Sequence, residues 1–279
     1  MDKLYNDVAN KISRLVTQEY SSSFSRAVSF LEKETRQAIY NVYGFVRFAD
    51  EIVDTFYSVD KDNILKSFED EYYAAYERGV STNPILHSFQ LTVKKYNIDD
   101  NLIKAFLKSM HNDLYKTLYN DKKEMNDYIY GSADVVGLMC LKVFVNGDEA
   151  LYERLKEPAM RLGSAFQKVN FLRDIKSDTE ILKRQYFPEL VGKRLTDEIK
   201  EKIITEISAD FNASFMGLKD LPGRSKLAVA IAYCFYKTLL KKIQNKPAGT
   251  VMESRIRISG LRKSLLFIKV YAAYVLNLI

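Results

Sequence analysis

Eleven glycines and five prolines are all that a chain of 279 residues holds for turns, about half the usual share of these two residues. A β-sandwich or barrel needs a turn signal every ~8–12 residues. So few turn formers dictate long elements, and long elements are helices. Short breaks fall at 79–84, 119–127, 217–225 and 244–250. Between them run segments of about 15 to 35 residues with helical periodicity, among them 23–57, 101–118, 158–182 and 224–243. No break is long enough for an interdomain linker. The spacing therefore predicts one all-α domain over 1–279, a bundle of roughly eight to ten helices around a central cavity, with functional side chains projecting inward.

Hydrophobic residues make up 47% of the chain and the net charge is +6, which excludes a disordered or low-complexity chain. The charge is spread along the sequence without a recognition motif, so nucleic acid is not an expected partner, whereas an anionic substrate or an anionic membrane surface is compatible. Cys140 and Cys234 each sit in an apolar stretch, as core residues rather than a disulfide or thiolate site. The start of the chain lacks an apolar signal core and no run of 18 apolar residues occurs, which predicts a cytoplasmic chain without a spanning helix.

Chemistry enters on two stripes. At 100° per residue, Tyr43, Arg47, Asp50 and Asp54 share an arc of about 60°, bordered by the apolar Val42, Val46, Ala49, Val53 and Phe56. A lone Asp-x-x-x-Asp pair is usually a solvated face, but here an arginine and a tyrosine share the stripe at the edge of the core. Gly163, Gln167, Asn170, Asp174 and Asp178 share an arc of about 80°, flanked by Leu162, Phe166, Phe171 and Ile175. Placing two amides and two carboxylates beside a core costs several kcal/mol unless a partner compensates. Oxygen donors of this kind suit a hard cation, and Mg²⁺ takes one or two carboxylates while leaving positions for water and phosphate. His87 and His111 lie apart from both stripes and read as structural, which gives zinc little support.

Arg173 lies among the amides and carboxylates, and Arg184 with Tyr186 follows in Lys-Arg-Gln-Tyr-Phe-Pro; guanidinium groups can fork onto phosphate oxygens. Ser21, Ser22 and Ser23 precede the first long helical segment, as a helix cap or an anion site. No glycine-rich phosphate loop is present, which argues against nucleotide hydrolysis or dinucleotide binding. Two Asp stripes facing an apolar cavity describe a site for a diphosphate with a greasy tail, where some of the 16 Phe and 19 Tyr could stabilise a carbocation.

These residues resemble the squalene and phytoene synthases, all-α enzymes of the isoprenoid synthase fold. The likeness runs through Ser21-Ser-Ser-Phe24, Tyr43-Gly-Phe-Val-Arg47-Phe-Ala-Asp50-Glu51-Ile-Val-Asp54 and Tyr128-Ile-Tyr130-Gly-Ser-Ala-Asp-Val-Val136-Gly137. It continues through Gln167-Lys-Val-Asn170-Phe-Leu-Arg173-Asp174-Ile-Lys-Ser-Asp178 and Arg184-Gln-Tyr186-Phe-Pro188. The resemblance implies that Asp50, Asp54, Asp174 and Asp178 are catalytic carboxylates holding Mg²⁺, or Mn²⁺ in its place, with Glu51 and Asn170 assisting. Ser21, Ser23, Arg47, Arg173, Arg184, Tyr186 and Arg255 would grip diphosphate, with Arg47 and Tyr128 also catalytic. Phe24, Tyr43, Tyr128, Ala133, Val136, Gly137 and Gln167 would line the prenyl channel. The family usually has Asp at Glu51, and Gly at Asp134, where a side chain implies a narrower channel or an added polar contact.

The implied reaction condenses two prenyl diphosphates head to head through a cyclopropylcarbinyl diphosphate. The whole chain is most similar to bacterial phytoene synthases, which implies two geranylgeranyl diphosphates, a forty-carbon product and no NADPH; the alternative is squalene or dehydrosqualene from two farnesyl diphosphates. A chain-elongating prenyltransferase or terpene cyclase would share the fold with differently spaced Asp motifs. A catalytically inactive scaffold member would be expected to have lost carboxylates that this chain keeps. The last stretch, 264–279, is short for a membrane span and follows Arg255, Arg257, Arg262 and Lys263. It reads either as a terminal helix packed on the bundle or as a peripheral contact with the inner membrane face.

Overall fold

The computed structural model describes residues 2–279, and among them it contains helices and no strand beyond one isolated bridge, Leu118 to Gln185. Thirteen α-helices follow in chain order: α1 (Asp2–Tyr20), α2 (Ser22–Val28), α3 (Lys33–Thr55), α4 (Lys61–Arg78), α5 (Pro84–Tyr96), α6 (Asp100–Asp113), α7 (Lys122–Ile129), α8 (Val135–Val145), α9 (Glu149–Glu180), α10 (Asp197–Lys219), α11 (Gly223–Gln244), α12 (Ala248–Glu253) and α13 (Gly260–Val275). A π-helix, Tyr130–Asp134, joins α7 to α8, and a 3₁₀ turn, Pro188–Leu190, precedes α10. The all-α expectation holds. The count exceeds eight to ten because three breaks are too short to read from periodicity. Segment 23–57 divides at 29–32 into α2 and α3, α7 begins inside the predicted break at 119–127, and α12 is only six residues long.

Local chemistry sets many helix starts. Asp60, Asn83, Asp99, Asp121, Asp148 and Thr196 each accept a backbone N–H of the first turn that would otherwise lack a partner. Helix α9 runs through Pro158 and starts at Glu149, nine residues before the predicted start, with Asp148 as its cap. Proline removes one i to i−4 hydrogen bond and crowds the preceding turn. Gly217 of α10 leaves the space its ring needs, since a Cβ there would stand 2.3 Å from Pro158 Cβ.

Two apolar cores form. One gathers α3, α4, α5, α6 and α8 around the stacked rings of Phe45 and Phe89, 3.9 Å apart. The other joins α9, α10 and α11 through Val169, Leu172, Ile207 and Ile231. Helix α9 lies at the join, packed on α8 on one side and α10 on the other. Among the described residues, one helical stretch is apolar and long enough to be a span candidate by composition, Lys122–Val145, and more than half of its apolar window is buried within the bundle. His87 and His111 occupy structural positions: His87 hydrogen-bonds Asn6 and packs on Tyr5, and His111 pairs with Glu69 at 2.9 Å. Cys140 faces the central cavity and Cys234 packs at the edge of the second core.

Candidate active site

A cavity of about 310 Å³ lies between α2, α3, α8, α9, α10 and α11. Of the residues that the resemblance assigns to a prenyl channel, Phe24, Tyr43, Ala133, Val136, Gly137 and Gln167 line this cavity, while Tyr128 does not. Its remaining wall is aliphatic or aromatic, including Val28, Leu31, Phe144, Leu155 and Leu162. Phe24 stacks on Tyr43 at 5.0 Å, and Gln167 donates to Ser132 Oγ at 3.3 Å. Gly137 lets α8 approach α9 closely, because a Cβ there would lie 3.3 Å from the carbonyl oxygen of Ala159.

The two polar stripes lie on α3 and α9. Arg47 bonds Asp50 at 2.5 Å and also Glu51, and its guanidinium lies 4.3 Å above the Tyr20 ring. Arg184 bonds Asp54 at 2.8 Å. Asp174 accepts from Arg173 at 3.0 Å and from Arg255 at 2.7 Å, which draws the segment after α12 onto the end of α9. Asn170 accepts from Tyr236 of α11 at 3.3 Å. Burial, followed by the nearby charge of Asp54, pushes the Asp50 carboxyl up to about 6. Burial, then the charges of Asp174 and Asp54, pushes Asp178 up to about 7. Since Asp54 lies on α3 and Asp178 on α9, the two stripes face one another.

Within the described residues, no three carboxylates, imidazoles or thiols converge closely enough to hold a metal ion. Asp50, Asp54 and Asp174 are instead turned onto arginines. The donor chemistry still fits a hard cation: all the donors are oxygens, and burial together with the neighbouring carboxylates makes the charged forms of Asp50 and Asp178 costly without a compensating cation.

Ser21 is the N-cap of α2, accepting from Phe24 N at 3.4 Å, and Ser23 is half-buried one position into that helix. Tyr186 is buried and stacks face to face on Phe171 at 4.0 Å, with Tyr128 5.3 Å away and Tyr119 5.5 Å away. Phe56, expected on the buried face of α3, is 42% exposed. It follows the last residue of the helix, so the 100° step no longer places it. Asp134 is not part of the cavity wall. It is buried at the join of the π-helix and α8, in the field of Lys168 and Asp210, with its Oδ1 lacking a hydrogen-bond partner. The narrower channel inferred from Asp134 is therefore corrected: Ser132, Ala133, Val136 and Gly137 face the cavity and Asp134 faces away.

Burial raises the Asp134 carboxyl to about 7, with Lys168 opposing the rise. The folded protein thus holds this proton more tightly than the unfolded chain does, so the contribution to stability is complete below about pH 4 and is lost as pH rises towards 7. Asp134→Asn is expected to raise the melting temperature by a few degrees at pH 7.5, for about 1 kcal/mol or more gained, with the gain shrinking at pH 5. Thermal melts at both values check this; an equal effect at the two would assign the change to packing instead.

Tyr20, Asp113, Tyr119 and Tyr236 also belong to this region, and sequence reasoning missed them. None lies in a spaced motif. Tyr236 shares the periodic segment 224–243, which marks it as helical and no more.

Residues 17–262 match the family model described as squalene/phytoene synthase. The chain belongs to the squalene/phytoene synthase family. It is 28% identical over 253 residues to the phytoene synthase of Pseudescherichia vulneris, covering 82% of this chain and 80% of that one. Phytoene synthase 2, chloroplastic, of Solanum lycopersicum is 26% identical over 249 residues, with 82% and 79% covered. The chain spans 60% of the length of phytoene synthase 1, chloroplastic, of Zea mays at 26% identity. Among solved structures, a dehydrosqualene synthase superposes with a TM-score of 0.83 at 21% identity, covering 98% of both chains. Squalene synthase HpnC from Alicyclobacillus acidocaldarius gives 0.75 at 21% identity, covering 86% of this chain and 95% of that one. These likenesses establish the isoprenoid synthase fold. Family membership makes the protein a prenyltransferase-type enzyme of the kind that joins prenyl diphosphates head to head.

Proposed function

We propose that the protein condenses two geranylgeranyl diphosphates to phytoene through a cyclopropylcarbinyl diphosphate, releasing two diphosphates and two protons. The observation that carries the reading is the continuity of the apolar cavity with the facing stripes: Tyr43 and Gln167 line the cavity and stand on the same helix faces as Asp50 and Asp174. The names of the relatives favour the forty-carbon product. Asp50, Asp54, Asp174 and Asp178, with Glu51 and Asn170 beside them, would hold Mg²⁺, or Mn²⁺ in its place, which supplies charge neutralisation for the leaving diphosphate.

Arg47, Arg173, Arg184 and Arg255, which pair with these carboxylates, would hold the diphosphate oxygens with the carboxylates engaged by the cation. Ser21, Ser23 and Tyr186 border this region as further contacts. The prenyl tail lies in the cavity, where the stacked Phe24 and Tyr43 present ring faces to a developing allylic cation. The aliphatic wall keeps out the water that would otherwise trap the cation. In the first half, C1 of one molecule loses diphosphate and is attacked by the double bond of the other, and loss of a proton closes the cyclopropane. In the second half, the remaining diphosphate leaves, the skeleton rearranges to join the two C1 atoms, and loss of a second proton gives the triene. No hydride is consumed, so no nicotinamide is needed.

Incubation with geranylgeranyl diphosphate and Mg²⁺ alone is expected to give phytoene, read by product mass. Farnesyl diphosphate turned over in preference would replace this reading by the thirty-carbon one, dehydrosqualene without NADPH and squalene with it. No hydrocarbon from either substrate would favour a scaffold role.

We also propose a peripheral membrane contact. Helix α13 exposes Leu261, Leu265, Ile268, Tyr271 and Val275, while Phe267 and Val270 pack on the bundle. Arg255, Arg257, Arg262 and Lys263 lie beside that exposed stripe in the sequence. An apolar face next to basic residues suits an anionic leaflet, which also receives an insoluble hydrocarbon. The protein is expected to co-float with liposomes containing anionic lipid at low salt and to release at high salt. Absence of flotation with anionic lipid at low salt would leave α13 as a terminal helix of the bundle.

A further inference from the structure

Asp113 closes α6, and its carboxylate lies in the interior among aromatic rings. Its Oδ2 accepts from Tyr128 Oη at 2.8 Å and its Oδ1 from Tyr119 Oη at 3.4 Å. Its main-chain carbonyl accepts from Arg184 Nη2 at 2.9 Å, while Arg184 Nη1 bonds Asp54 at 2.8 Å. The carbonyls of a last helical turn have no intrahelical donor, and the negative end of the helix dipole favours a cation there. One residue thus offers Arg184 a free carbonyl, a helix terminus and a nearby carboxylate. The backbone supports the same register: Gln185 N donates to Thr117 O at 2.8 Å and Tyr119 N to Gln185 O at 3.2 Å, which stitches the Arg184 segment to the chain leaving α6.

From this geometry we infer that Asp113 is the positioning residue that aims Arg184 and Tyr128 at the diphosphate end of the site. The inference rests on the proposed function and deepens it. Asp54 is one of the carboxylates that would hold Mg²⁺, and in that role it would release one of the two partners of Arg184. The Asp113 carbonyl and the charge of its carboxylate would still hold the guanidinium by one edge, leaving the other for a phosphate oxygen. The carboxylate of Asp113 fixes the tilt of Tyr128, whose ring stacks with Tyr186 in the same wall. Asp113 touches no substrate in this arrangement and acts through its two partners. It stands alone in the sequence, outside both stripes.

Two measurements test it on the full chain. Binding of inorganic diphosphate in the presence of Mg²⁺, followed by calorimetry, reads the aim of Arg184 without requiring turnover. Asp113→Asn keeps the main-chain carbonyl and the size of the side chain but removes the negative charge that attracts the Arg184 guanidinium, so it is expected to weaken that binding about tenfold, and Asp113→Glu, which keeps the charge, by less. Kinetics with prenyl diphosphate then read the coupling to Tyr128. Asp113→Asn is expected to lower kcat about tenfold or more, and Asp113→Asn combined with Tyr128→Phe to cost little more than the costlier single change. Circular dichroism and melting temperature identify any variant that fails to fold, in which case Asp113→Glu carries both measurements. Diphosphate affinity equal to wild type in folded Asp113→Asn overturns the inference, as do losses that multiply independently in the double variant. A wild-type protein that binds diphosphate in an Asp113-dependent way but makes no prenyl product would sink the proposed reaction and leave the positioning role standing.

Discussion

Asp174→Asn is expected to lower prenyl diphosphate turnover at least about a hundredfold, the range seen when a main electrostatic stabiliser is removed, and Asp50→Asn to do the same. Asp174 collects Arg173 from its own helix and Arg255 from the far end of the chain, 2.7 Å away, so it organises charge from two directions. Asp50 does the equivalent on α3 with Arg47. The amide keeps the shape and removes the charge that the proposed cation would require. Helical content should hardly change, because both side chains stand at the polar border of the core rather than in it. Chelation of divalent ions should abolish activity in the wild type, and added Mg²⁺ should restore it. Steady-state rates and far-ultraviolet circular dichroism check the prediction together. A folded Asp174→Asn variant with near-normal turnover would remove this carboxylate from the machinery.

Arg184→Leu is expected to cost stability as well as activity. Arg184 is 7% exposed, and its guanidinium is bonded both to Asp54 and to the carbonyl that ends α6. Removing it leaves Asp54 without its ion pair and Asp113 without the positive charge that opposes the burial of its carboxyl. Breaking a buried pair from one side costs about 3–5 kcal/mol, because the remaining charge is left uncompensated. In a chain of this size that is a fall in melting temperature on the order of 10 °C. Arg184→Lys keeps the charge without the planar fork, so it should recover part of the stability and little of the diphosphate affinity. Thermal melts and diphosphate titration separate the two effects. A melting temperature within a degree or two of wild type for Arg184→Leu would mean that Asp54 and Asp113 find other partners.

The residue placements that were readable in advance are those set by local spacing. Asp50 and Asp54, like Asp174 and Asp178, lie one helical turn apart, so the 3.6-residue period alone puts each pair on one face, and the apolar residues beside them show which border the face occupies. Phe24, Tyr43, Ala133, Val136, Gly137 and Gln167 all line the cavity, and they were singled out by motifs whose order along the chain resembles that of a known family. Asp134 escaped the same reasoning because the segment Tyr130–Asp134 is a π-helix. A π-turn takes more residues per turn than an α-turn, so the direction of every side chain near it departs from a 100° step. Pro158 misled in the opposite sense. Proline favours the first turn of a helix, yet α9 begins nine residues earlier and continues through it, since Gly217 on a neighbouring helix makes room.

Asp113 and Tyr119 mark the limit of the sequence more sharply. One is a lone acid at a helix end and the other a tyrosine in a break, and no period or motif joins them to Arg184, 71 residues beyond Asp113. By itself the sequence determined that the chain is helical and which faces of α3 and α9 carry carboxylates at the edge of a core, because those properties depend on residues a few positions apart. Only the tertiary structure decided which arginine answers which carboxylate, that Asp134 turns from the cavity, and that α6 ends against Arg184. Those outcomes depend on how distant helices pack, and a buried charge takes the partner that packing brings within hydrogen-bond reach.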